Sequence, residues 1–196
     1  MITLRIDHEK ELRKIEKRLG SLKSEAPRVL ANAVNQTAKD ARKKLATQAQ
    51  KTYAIKTGGF NKEMKIKRAR ASNPAAIISA TGKANELKSF KVSPSKYAPS
   101  EPPDAYQAKV VKTGSMKTLI KGDIKSFLIR FKSSHVTVAQ RVGQERLPIR
   151  VLYSPSVPTM LGSELRVYGL IKPELYKDLQ ANIDKQIARV IAKGGN

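Results

Sequence analysis

Five cations crowd into nine residues, Lys62, Lys65, Lys67, Arg68 and Arg70 in KEMKIKRAR, and no other stretch offers chemistry so densely. Ammonium and guanidinium groups at this density can neutralise several backbone phosphates or meet a carboxylate-rich protein surface. Groups that read or stack bases are scarce. The chain has no tryptophan, and its six tyrosines are not interleaved with the run. The stretch is therefore expected to touch nucleic-acid backbone without reading sequence, or an acidic neighbouring protein, and the residues leave both open. Lys112, Lys117 and Lys121 make a looser second basic group with the same two expectations.

Reactive chemistry is thin elsewhere. His8 and His135 are the two histidines, neither has carboxylates at ligand spacing, and without cysteine there is neither a disulfide framework nor a thiolate metal site. The run KTGSMKT has fragments of a phosphate loop, but Met116 stands where the pattern requires a glycine before Lys117, so it reads as a basic loop. Glu101, Asp104, Asp123 and Glu145 are the best placed acids for acid and base work, all in turn or loop settings with nothing grouping them. Neither cofactor nor metal is expected. An enzyme would need a site assembled in three dimensions.

Charge bounds the partners. The 196 residues hold 39 basic and 16 acidic side chains, a net charge of +23, and residues 61–150 carry +13 of it. Such a chain is drawn to polyanions. The longest largely apolar run, AAIISA, is far short of a bilayer span, so no membrane partner is expected. The opening MITLRIDHEKELRK turns charged at once, unlike a secretory leader, and synthesis is expected in the cytoplasm.

The elements that must position these residues follow from periodicity. A short strand is expected at ITLRI, then a helix with Leu12, Ile15, Leu19 and Leu22 along one stripe. Ser24 and Pro27 read as cap and first-turn proline of a second helix, whose face of Leu30, Val34, Ala38, Ala41, Leu45 and Ala49 calls for close packing. Beyond KTGGF, KEMKIKRARA alternates as a basic strand with Met64, Ile66 and Arg68 on one side, a short helix being the alternative. AAIISA and ELKSFKV continue a β-meander. Residues 93–122, with four prolines, read as a long loop that orders on reaching a neighbour. Strands resume at IKSFLIRF, HVTVAQRV and LPIRVLY, a short helix begins near Val157 or Thr159, and an amphipathic helix follows Pro173 with Leu175, Leu179, Ile183, Ile187 and Val190 or Ile191 inward.

The order helices, strands, helix indicates an α+β fold with an antiparallel sheet. Residues 1–24 are expected to form an N-terminal strand and helix arm, and residues 25–196 a single domain carrying the loop 93–122.

Within HVTVAQRVGQERLPIRVLYSPSVP, Gln140, Arg141, Val142, Arg146, Pro148, Ile149 and Pro158 resemble the C-terminal half of the phage minor tail protein Z family. VLANAVNQTAKDAR, KEMKIKRARASNPAAII and a closing helix fall in the same order, so the likeness spans roughly residues 25–190. The loop 93–122 and the leading helix match no pattern in it. The resemblance implies a structural virion protein of the tail or neck, a tail completion component that joins tail to head as a homo-oligomeric ring, a hexamer favoured, without catalysis or cofactor. It implies tail and neck partners such as a tail terminator, a connector or a tape measure protein, with non-specific contact to packaged DNA. Arg141, Arg146 and Pro148 become candidate subunit-interface residues, since the guanidinium fork suits a carboxylate across an interface. The competing class is a non-sequence-specific nucleic-acid-binding protein of ribosomal or nucleoid type.

Overall fold

A computed structural model describes residues 8–56 and 59–194, so the strand expected at ITLRI and Gly58, one of the two glycines expected with Gly59 to break the second helix, lie outside the described residues; that helix ends before both, at Thr52. Helix α1 (His8–Leu19) buries Ile15 and Leu19, two positions of its apolar stripe. Gly20 then turns the chain at φ +56°, a conformation that glycine adopts without penalty. A 3₁₀ segment (Gly20–Glu25) runs straight into α2 (Ala26–Thr52). The Ser24 cap is thus not made: the residue before α2 is Glu25, itself helical and without a side-chain cap, and the Ala26 amide bonds the Lys23 carbonyl instead. Pro27 does sit in the first turn.

The last helix, α4 (Tyr168–Gly194), lies antiparallel to α2, as their cross-links show. The Gln48 and Thr52 side chains donate to the Arg166 carbonyl just before α4, Lys44 bridges Glu174 at 2.8 Å and Asp178 at 2.7 Å, and Asn182 donates to the Thr37 hydroxyl at 3.1 Å. Along its length α2 buries alanines at 31, 33, 38, 41, 46 and 49, whose small side chains let neighbouring elements come close. α4 starts five residues before Pro173 rather than after it. Burial of Val167, Tyr168 and Ile171 offsets the hydrogen bond that proline cannot donate. Gly169 is required there, because a Cβ would fall 1.9 Å from the Glu164 carbonyl oxygen. Of the expected apolar positions Ile187 is buried, Val190 half-buried and Ile191 exposed.

α1 is fixed to α4 by a buried carboxylate. Glu11 accepts from Lys14 at 2.9 Å, Gln180 at 3.0 Å and the Tyr176 hydroxyl at 3.2 Å. Burial pushes this carboxyl up, but the hydrogen bonds from Gln180, Lys14 and Tyr176 and the Lys14 charge together hold it below the ordinary glutamate value.

The α+β class holds, with four small antiparallel sheets where one was expected. β1 (Met64–Lys67) pairs with β2 (Ile77–Ala80) and packs Met64 and Ile78 among the α2 alanines. Asn35 of α2 grips the chain just beyond β1: its amide donates to the Ala69 carbonyl at 2.9 Å and its oxygen accepts from the Ala69 amide at 2.8 Å. Alternation consequently shifts after Lys67, burying Ala69 and exposing Arg68.

ELKSFKV is not one strand. It divides into β3 (Asn85–Glu86), a 3₁₀ turn (Leu87–Ser89) and β4 (Lys91–Ser93), so that Phe90 enters the helical core while Leu87 and Val92 enter another. The interval 93–122 is also more ordered than expected. It contains β5 (Gln107–Lys109), β6 (Lys117–Thr118) and β7 (Ile120–Lys121), it buries Tyr106 and Ala108, and Arg130 stacks 4.9 Å over the Tyr97 ring. β4, β5 and β6 form one sheet. β8 (Ile124–Arg130), β9 (Val136–Arg141) and β10 (Ile149–Val151) join β7 in the order β10-β9-β8-β7. β11 (Tyr153–Ser154) returns to β3, and α3 (Val157–Leu161), capped by Ser156, leads to α4.

Asn35→Ala should lower unfolding free energy by about 1–3 kcal/mol, because it orphans two backbone groups, and should accelerate hydrogen exchange in β1 selectively. Glu11 stabilises the fold above its unfolded value of about 4.3, and this contribution is lost as pH falls through the lower folded value. In chemical denaturation, Glu11→Gln should therefore be less stable at neutral pH and lose less on acidification than the parent.

Candidate functional site

Lys62, Lys65, Lys67, Arg68 and Arg70 are all exposed, and none pairs with a described carboxylate. β1 places them: Met64 turns into the helical core, so Lys65 and Lys67 must turn out, and the Asn35 grip on Ala69 forces Arg68 and Arg70 outward on either side.

The second basic group does not act as a unit. The Lys112 ammonium donates to the Gln50 carbonyl at 2.6 Å, while its amide donates to the Thr52 carbonyl at 2.8 Å. It therefore closes the C-terminal end of α2, where a positive charge also meets the negative end of the helix dipole. Lys117 and Lys121 stand exposed on β6 and β7.

The hairpin of β9 and β10 is closed by the Val142 amide donating to the Pro148 carbonyl at 3.0 Å. Its tip leaves Arg146, Leu147, Pro148 and Val142 in solvent. At the hairpin's base, buried Gln140 donates to the Ile124 carbonyl at 2.9 Å and accepts from Arg150 at 2.7 Å, which stiffens it. At the other end of β9, His135 lies 2.8 Å from a Glu86 oxygen and stacks on Phe131, tying this sheet to β3.

Arg141 is set apart from Arg146. It lines a cleft of about 360 Å³ together with Asp104, Tyr106, Asp123, Lys125 and Ser126. Burial pushes the Tyr106 phenol up against a hydrogen bond with the Leu128 backbone. Asp104 and Asp123, nineteen residues apart in loops, are here brought to one opening, which no spacing in the sequence announces. Ser126 and Tyr106 gave no signal at all, since a serine in an alternating strand reads as an ordinary outward residue.

Among the described residues no group of three or more histidines and carboxylates is placed to hold a metal ion, and no helix is long and apolar enough to cross a membrane.

A family model described as prophage minor tail protein Z matches residues 10–193, which takes in both long helices and all four sheets. No curated protein and no solved structure matches the chain.

Lys112→Ala should cost about 1 kcal/mol in denaturant unfolding by uncovering the end of α2, whereas Lys117→Ala should leave stability unchanged.

Proposed function

This chain belongs to the prophage minor tail protein Z family, and from that premise we propose that it completes the head-proximal end of a long phage tail so that the tail can join a filled head. A phage minor tail protein has a structural role in the virion; our proposal is that this one acts at the neck as a ring, with a hexamer favoured. The observation that carries the proposal is the extent of the family match, which runs from the first turn of α1 to the last turn of α4.

The surface supports it. An assembly protein needs stiff exposed elements more than a closed pocket, and the β9–β10 hairpin is one, held at its base by Gln140 and presenting Arg146 and Pro148 at its tip. The outward cations of β1 supply a face for DNA in transit or for acidic subunits around it. Catalysis and a cofactor have no part in this reading. Neighbours are other tail and neck proteins: a terminator, a connector or a tape measure protein.

The exposed basic strand alone would also suit a free nucleic-acid binder. The two differ in behaviour, because phosphate contact gives tight, steeply salt-dependent binding of duplex or RNA by the isolated monomer, without sequence preference. Electron microscopy of particles made with and without the protein tests the junction role. Tails that assemble but fail to give productive head-joined particles are expected in its absence. Normal infectious particles lacking it would sink the proposal and bring the nucleic-acid binder forward.

A further inference from the structure

In a chain so rich in cations, carboxylates left unmatched are informative. Six acids are used within the described structure: Glu11, Glu25, Glu86, Glu174, Asp178 and Asp184 each meet a basic group. Asp104 and Asp123 have no ion-pair or hydrogen-bond partner among the described residues, yet both line the cleft beside Arg141. Ser126 lines it too, at 4 % exposure, with a buried hydroxyl oxygen that has no hydrogen-bond partner. The volume of about 360 Å³ admits an arginine side chain with some backbone. Lys125 and Arg141 line the same opening, so it selects a segment carrying both signs rather than any cation.

Residues 62–70 are such a segment. Their five cations are exposed and unpaired among the described residues, and exposed Glu63 lies in their midst. The two surfaces share no residue and rest on different cores. β1 packs on α2 with Met64, whereas the cleft is founded on Tyr106 in the cluster of Leu128 and Val138.

We propose that residues 62–70 of one copy dock in the cleft of Asp104, Asp123 and Ser126 on the next copy. The inference rests on the ring reading and gives it a contact. Guanidinium groups of Arg68 and Arg70 donate to the two carboxylates, and Glu63 meets Lys125 or Arg141. Because the two patches differ, the contact is head-to-tail, the kind that closes a ring when the rotation permits. It also answers a difficulty of charge: copies bearing +23 repel one another unless neighbours match cations with carboxylates. The basic strand is then buried between subunits and does not face DNA.

The absence of cysteine makes the test clean. Full-length chains carrying Ala71→Cys and Ala105→Cys, which leave every charge in place, are mixed and oxidised. A linked heterodimer is expected at about tenfold the yield of an Ala71→Cys and Ala181→Cys control, and the chain bearing both Ala71→Cys and Ala105→Cys should give a ladder ending in a closed ring. Asp104→Lys with Asp123→Lys should weaken association about tenfold or more, with recovery when Lys65→Glu and Arg68→Glu are added to the same chain. Linkage no greater than the control, or association indifferent to these reversals, overturns the contact while leaving the junction role standing. Normal particles without the protein would sink the junction role and leave the linkage result intact.

Discussion

Close antiparallel pairing of α2 and α4 is the constraint on which the rest of the molecule depends. It is eased by small side chains along α2, whose buried alanines at 31, 33, 38, 41, 46 and 49 serve the helical cores shared with α1, α4 and β1. An alanine interface gains little from each residue, so register has to be set by polar groups that fit in one alignment only. Asn182 on Thr37 sets it in the buried centre, and Lys44 between Glu174 and Asp178 sets it at the edge. α1 joins the pair by burying Ile15 and Leu19 and by offering Glu11 to Tyr176 and Gln180.

The sheets are attachments to this frame. β1 and β2 lie on α2 and are held at one end by Asn35, Phe90 reaches from the 3₁₀ turn into the helical core, and Lys112 ties the 93–122 interval to the end of α2. Among the described residues none of the four sheets exceeds four strands, and each ends in edge strands. Small sheets with open edges and little area of their own are stable here because each borrows a helix or a neighbouring sheet to cover one face. The same economy leaves strands and hairpins on the outside, as an assembly protein requires.

The helical frame also explains the uneven surface. Five of the six paired carboxylates belong to α1, α4 or the residue before α2, where they hold helices or helix ends. Residues 61–150 keep their cations with few internal partners, and so the basic excess falls on the sheets and loops.

The long helices were legible because a 3.6-residue apolar period is a local property, readable wherever a helix buries one face. So were the hairpin of β9 and β10 and the short helix α3, whose alternation, turn residues and prolines act within a few positions. The basic strand was legible for the same reason, but its change of phase at Ala69 was not, since Asn35 lies thirty-four residues earlier. Nor could spacing show that ELKSFKV divides between two cores, that Lys112 closes α2, or that the proline-rich interval carries three strands. The sequence by itself determined the helix periods, the charge and the absence of thiol chemistry, because these follow from residue type and short-range order. Only the tertiary structure decided which carboxylates stay unmatched and that Asp104, Asp123 and Ser126 share one cleft. That grouping depends on how β8, β9 and the chain before β5 pack together, because Asp104 lies nineteen positions from Asp123 and has no local reason to be near it.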